Sequence, residues 1–151
     1  MKYCRINLEQ TNYTEMSVLE ASLLVQPEIY IEKLQSLYKT YCLYKKFKSV
    51  MPIFDSEFAD NKNNVIAYYD NDKIIAFSLI RIFDKDNVEA IQFAWDYKNP
   101  ELKLGIRSLE HECAFYKKLG YKFYYLGTAQ EYKNQIKGYE LLGNYETNIS
   151  T

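Results

Sequence analysis

The run Glu101-Leu102-Lys103-Leu104-Gly105-Ile106-Arg107-Ser108 joins two cations and one glycine to the start of a helical pattern. The first turn of a helix leaves backbone N–H groups unpaired and carries the positive end of the macrodipole, so it is a natural seat for a phosphate. Lys103 and Arg107 add positive charge there, and Gly105 permits close backbone approach. Glu101 opposes an anion unless it points away. Other chemistries are excluded by count and spacing. His111 is the only histidine and stands between Glu110 and Glu112, so it is expected to be solvated and leaves no Ser-His-Asp or Cys-His arrangement. Cys4, Cys42 and Cys113 are odd in number, far apart and without CxxC spacing. A disulfide framework or a zinc site is therefore not expected, no metal is assigned, and a reducing cytoplasm fits best.

The elements that must position that loop lie between Asn87 and Gly127, which read as strand, tight loop, amphipathic helix, turn and strand: a βαβ unit with parallel strands. Leu102, Ile106, Leu109, Cys113 and Tyr116 recur at spacings of four and three, one apolar stripe facing a sheet. Glu110, Glu112, Lys117 and Lys118 fall off the stripe and are expected in solvent. Pro100 suits the first turn and Gly120 the stop. Ala90–Trp95 and Phe123–Leu126 are apolar on both faces, as parallel strands under helices are.

Around this unit, Lys2–Leu8 alternates as a first strand. Asn12, Thr14 or Ser17 caps a short helix through Leu24 that Gln26-Pro27 ends. Glu28–Phe47 is a long helix with Tyr30, Leu34, Leu37, Tyr41 and Tyr44 on one face. Val65–Tyr69, Ile74–Phe83 and the strand opening the βαβ unit are joined by turns at Asp70-Asn71-Asp72 and Asp84-Lys85-Asp86-Asn87, giving three antiparallel strands. Glu131–Leu142 is predicted as a further helix and Tyr145–Ile149 as a last short strand.

With 151 residues, 48% of them apolar and 17% aromatic, the chain reads as one globular domain over residues 1–151. Its sixteen tyrosines suit amphipathic packing at element edges and would tolerate a homodimer. A net charge of −1 calls for no nucleic acid or anionic membrane globally. The one local exception is the cluster Lys39, Lys45, Lys46 and Lys48. MKYCRINLEQ lacks the apolar core of a signal peptide, and no window is long enough to span a membrane.

The order of elements resembles the GNAT acyltransferase fold: a mixed α/β (α+β) sheet, antiparallel N-terminal strands, then a splayed parallel pair, flanked by helices. Asn99–Tyr139 is also similar to the C-terminal half of arginyl-tRNA–protein transferases. The shared features are the Leu-Gly helix start, the Leu-Gly-Tyr turn, the Tyr-Tyr-Leu-Gly strand end and the pair Lys137-Gly138. The GNAT resemblance implies an acyl donor lying in a V between Phe93–Asp96 and Tyr124–Gly127. It implies a pyrophosphate seat at Lys103, Leu104, Gly105, Ile106, Arg107 and Ser108, with Phe93, Ala94 and Trp95 against the donor. The loop departs from the usual coenzyme-A pattern in keeping a single glycine, which neither excludes acetyl-CoA nor demands it.

Acyl transfer to an amine needs a base, donors for the oxyanion and an acid for the leaving group. By the same resemblance Tyr139, four residues before Gly143 in the last helix, is the acid. Asp96 at the end of the fourth strand is the base, and the backbone near Ala94 and Trp95 forms the oxyanion hole. Gln92, Tyr125 and Gly127 are substrate-binding candidates; by strand alternation Gln92 shares a face with Asp96, and Glu89 points the other way. The implied function is N-acyl transfer from acetyl-CoA or another acyl-CoA to a primary amine of a small molecule, peptide or protein. The alternatives are transfer from aminoacyl-tRNA, with tRNA as partner through the Lys39–Lys48 cluster, and a non-catalytic binding module that keeps the fold.

Overall fold

The computed structural model describes residues 2–46, 60–128 and 131–144. Seven strands form one mixed sheet: β1 (Lys2–Asn7), β2 (Glu20–Leu23), β3 (Asn63–Asp70), β4 (Lys73–Ile82), β5 (Asn87–Trp95), β6 (Phe123–Thr128) and β7 (Tyr139–Asn144). Their spatial order is β2-β3-β4-β5-β6-β1-β7. Helix α1 (Ile31–Lys45) covers one face and α2 (Leu104–Lys118) the other. Alternation along β3 feeds both layers: Ile66 and Tyr68 pack with Leu104, Cys113 and Tyr116 of α2, whereas Val65 and Ala67 pack with Leu34 and Leu37 of α1.

The antiparallel run and the parallel crossover form as their patterns require. β3 and β4 turn through Asn71 and Asp72, both at positive φ, as a tight two-residue hairpin demands. The next turn is held by Asp84 Oδ1, which accepts from the backbone N–H of Asp86 and of Asn87. β5 and β6 are parallel, but they pair only from Asn87–Glu89 to Phe123–Tyr125. β1 is inserted between β6 and β7, antiparallel to both.

Two expected helices are strands. The segment ending at Leu24 carries β2, paired with β3 from Glu20↔Tyr69 to Leu23↔Ile66. Without it the edge of β3 would present unpaired backbone groups, and that demand outweighs a weak local helix preference. Residues 131–142 form a short 3-10 turn, Glu131–Gln135, and then β7. Gly138 decides the break. It has φ +80°, its carbonyl accepts from Asn7 N–H at 2.8 Å, and a Cβ on it would lie 2.4 Å from the Asn7 carbonyl oxygen. The long helix also starts later than expected, after a 3-10 turn at Pro27–Tyr30. Pro100 likewise opens a 3-10 turn, Pro100–Leu102, and the left-handed Lys103 then starts α2. The expected strand at 145–149, and Lys48, lie outside the described residues.

Candidate active site

β6 leaves β5 after Glu89, so among the described residues the edge of β5 from Ala90 to Trp95 has no strand partner on that side. An extra residue, Ile91, bulges β5 against β4, where Leu79 pairs with Gln92 and Ile80 with Ala90. The bulge reverses the alternation: Val88 and Trp95 belong to the α2-side core, Ala94 to the α1-side core. Glu89 and Gln92 therefore share a face, contrary to strict alternation.

A cavity of about 190 Å³ occupies this gap, lined by Ser78, Ala90–Phe93, Gly105, Ser108, Leu109, Glu112, Tyr124, Leu126, Lys133 and Tyr41. Gly105, Ser108, Leu109 and Glu112 lie at i, i+3, i+4 and i+7, so one face of α2 runs down it. At its upper end the amides of Leu104 and Gly105 precede the first intrahelical acceptor and have no backbone partner among the described residues. Gly105 has no unusual φ; a Cβ there would meet nothing within 4 Å, which leaves its backbone open to a ligand. Lower down, Glu112 is 1% exposed, contrary to the expectation that it is solvated. Hydroxyls from three strands donate to it: Tyr68 and Ser78 to Oε2, each at 2.5 Å, and Tyr124 to Oε1 at 2.6 Å. Burial pushes its carboxyl above the ordinary value, and the three hydroxyls partly offset this. Burial and the neighbouring Glu112 charge push both tyrosines well above theirs, which keeps them protonated donors.

Lys133, also buried, donates from Nζ to the Leu126 carbonyl at 2.8 Å, and desolvation lowers its ammonium below the ordinary value. Gln92 brings a half-buried carboxamide whose oxygen and nitrogen both lack a partner. His111 is buried too, not solvated: Nδ1 accepts from the Met16 N–H at 2.9 Å, and burial depresses its pKa.

Of the residues singled out from sequence, the fold brings Gln92, Phe93, Gly105 and Ser108 together at this cavity. Leu104 and Trp95 are buried beside it in the α2-side core, Ile106 packs at the margin of that core, and Ala94 lies on the α1 side. Lys103 is exposed at the start of α2, and Arg107 turns toward Thr14–Val18 on the far side of the helix. Tyr125 and Gly127 line a second cavity, of about 400 Å³, with Tyr3, Cys4, Phe83, Asn87, Glu89 and Leu142. Tyr125 and Glu89 are staggered from Tyr124 and Val88, which face α2, so this cavity opens the same gap from the opposite side of the sheet. Tyr139 stands on β7, not on a helix, with its hydroxyl against the Cys4 thiol, and Asp96 lines a shallow hollow with Asp70, Lys73 and Lys98. Neither lines the first cavity. Glu112 and Lys133 escaped the sequence reading because an isolated charge on a helix or turn gives no sign of the strands it will meet. The only local hint was Glu112 standing next to the apolar position Cys113.

A profile described as the C terminus of arginine-tRNA-protein transferases matches residues 10–143. Curated protein sequences give no match. Among solved structures, the C-terminal domain of a putative lysylphosphatidylglycerol synthetase from Agrobacterium fabrum aligns with TM-score 0.62 at 12% identity, over 85% of this chain and 46% of that one. N-myristoyltransferase from Saccharomyces cerevisiae with bound myristoyl-CoA aligns with TM-score 0.64 at 12% identity, over 93% and 47%. A GNAT family acetyltransferase from Elizabethkingia anophelis with acetyl-CoA bound aligns with TM-score 0.54 at 15% identity, over 80% and 71%. The chain thus spans about half the length of the first two of these. These identities establish the fold alone, and the fold is GNAT-like. With the profile covering 134 of 151 positions, this chain belongs to the family of arginine-tRNA-protein transferase C-terminal domains.

Proposed function

We propose that this chain transfers an aminoacyl group from a charged tRNA to a primary amine of a peptide or protein. The observation that carries this reading is the parting of β5 from β6 beside the α2 N-terminus, in a chain of this family. The donor's terminal phosphate rests on the Leu104 and Gly105 amides, and its ester enters the first cavity. The acceptor amine arrives through the second cavity, where Glu89 takes up a proton of the incoming ammonium, the part first given to Asp96. The amine nitrogen then bonds to the ester carbonyl carbon, and the oxyanion is met by backbone N–H groups on the unpaired edge of β5. The carbon–oxygen ester bond breaks as Lys133 Nζ gives a proton to the departing oxygen, which leaves as the tRNA hydroxyl, and the proton shed by the new amide nitrogen recharges the lysine. The buried thiols of Cys4, Cys42 and Cys113, none in a disulfide among the described residues, suit a reducing cytoplasm.

A second reading, transfer from acyl-CoA, is favoured by the same helix N-terminus and by the fold shared with an acetyltransferase that holds acetyl-CoA. The test incubates the full chain and an amine-bearing peptide with tRNA charged with labelled amino acids, and separately with labelled acetyl-CoA. Label reaching the peptide from charged tRNA, and falling at least tenfold in Glu89→Gln, is the expected result. Label arriving only from acetyl-CoA overturns the donor assignment, and transfer from neither leaves a binding module.

A further inference from the structure

We infer that two copies of this chain associate through the free edge of β2, their sheets joining across a two-fold axis into one continuous sheet. The occupant of that edge is a second copy of the chain, and the inference stands independently of the aminoacyl-transfer reading.

The backbone at this edge is open in a defined register. β2 is an end strand of the sheet and pairs with β3 from Glu20↔Tyr69 to Leu23↔Ile66. The Leu24 N–H continues that ladder, donating to the Val65 carbonyl at 2.8 Å. In an antiparallel pair the bonding groups of successive residues face opposite sides, so Glu20 and Ser22 face β3 like Leu24. The N–H and C=O of Ala21 and of Leu23 therefore point away from the sheet, and among the described residues they have no backbone partner. The strand is short, at four residues, but it carries no lysine, proline or bulge that would discourage pairing, and its one charge, Glu20, stands at its end.

The side chains fit the same pairing. Antiparallel pairing centred on Ser22 sets Ala21 opposite Leu23 of the second copy, and Leu23 opposite its Ala21, so every outward backbone group of the strand finds a partner. Each large side chain then lies beside a small one, and Ser22 meets its own counterpart on the axis. Ala21 packs at the margin of the α2-side core, and the register with Tyr68 and Ile66 puts Leu23 on that same face, where it is 41% exposed. Five of the eleven exposed large apolar side chains among the described residues fall between residues 18 and 30: Val18, Leu23, Val25, Ile29 and Tyr30. Clustering of this kind marks a surface that is covered in use. Reciprocity selects a second copy over a foreign strand, because a two-fold contact requires one surface to complement itself, and here the large and small positions exchange roles across the axis. The antiparallel arrangement also sends the two Glu20 carboxylates to opposite ends of the seam, about 14 Å apart along the strand. β3 and β4 lie between the seam and the cleft at β5, so the clefts of both copies stay open.

The experiment is sedimentation equilibrium of the full chain over a wide concentration range, up to about 1 mM, where even an association with a Kd of about 1 mM would register. The weight-average mass is expected to rise from 18.0 kDa toward twice that value. Leu23→Lys sets two like charges beside the axis on a side chain that is already part-exposed. It is expected to weaken association at least tenfold while leaving the melting temperature of the dilute protein unchanged. Register is tested by oxidation of Ser22→Cys. Its Cα atoms, about 4.5 Å apart in a non-hydrogen-bonded pair, lie within disulfide reach, whereas those of Glu20→Cys do not. Ser22→Cys is expected to yield a covalent dimer under mild oxidation and Glu20→Cys to stay monomeric on a denaturing gel. A mass of one chain at every concentration overturns the inference. Association that survives Leu23→Lys, or cross-linking of Glu20→Cys as ready as that of Ser22→Cys, overturns it equally. Should Leu23→Lys not fold, the two cysteine variants decide.

Discussion

Single residues set the chemistry of the cleft, and two of them can be tested directly. Gly105 stands over open space, so a side chain there enters the path proposed for the donor while the helix itself gains: replacing glycine by a better helix former favours a helix by up to about 1 kcal/mol. Gly105→Leu is therefore expected to keep or raise the melting temperature and to cut transfer at least tenfold, a pairing that a merely structural glycine would not show. His111 offers a pH signature. Burial holds its pKa below the ordinary 6.5, with Glu15 opposing the shift weakly. The unfolded chain therefore binds the proton more readily, and the stability this histidine contributes is present in full above about pH 6.5 and lost as the pH falls through the depressed value. Melting temperature is expected to drop on acidification from pH 7 toward 5, and His111→Gln, which cannot titrate, is expected to flatten that part of the profile. An unchanged slope would mean that other groups set it.

Elements decide where those residues stand. The cleft exists because β6 pairs with β5 over only three residues while pairing with β1 from Phe123 to Thr128, and β1 is itself held from its other side by β7. Gly138 is the hinge of that arrangement, pressed against Asn7 in a left-handed conformation. Gly138→Ala puts a methyl group into the Asn7 carbonyl and strains the backbone, with an expected loss of roughly 1–3 kcal/mol of stability. Chemical denaturation would measure it. Because β7 steadies β1 and through it β6, the variant is also expected to loosen the first cavity, seen as faster hydrogen exchange at Tyr124 and Leu126. A stability loss under about 0.5 kcal/mol would show that the close approach is not holding the strands.

On the scale of the whole molecule, the net charge of −1 conceals a local basic surface. Lys39, Lys45 and Lys46 stand exposed on α1 and at its C-terminal cap. Lys73 is exposed too, and its ammonium is pushed below the ordinary value by adjacent Lys98 and by Lys33 of α1, with Asp96 opposing the shift. Like charges gathered in this way are what a polyphosphate partner would use. If tRNA is the donor, its binding is expected to weaken steeply with salt. Removing Lys73 and Lys98 together should then reduce the slope of log K against log salt by about 1 to 2, and likewise for Lys45 and Lys46. A slope unchanged by both pairs would place the tRNA elsewhere.

Much of this was legible in the chain, and the reasons differ by level. Period-two and period-four patterns depend only on neighbours a few residues away, so the two long helices, the antiparallel strands and the βαβ unit could be read directly. Gly138 was a visible warning against a helix over 131–142, although what it must avoid, the Asn7 carbonyl, lies more than 130 residues earlier. β2 and the bulge at Ile91 respond to edges and register that no local window contains. Tyr139 moved from helix to strand and Asp96 out of the cleft for the same reason: their places depend on which strand lies beside them. Glu112 is the clearest case. By itself it is a charged residue on an amphipathic helix, and solvent is the reasonable expectation. Its burial becomes tolerable only because Tyr68, Ser78 and Tyr124, from three strands, bring hydroxyls to one carboxylate, and a convergence of that kind is a property of tertiary packing alone.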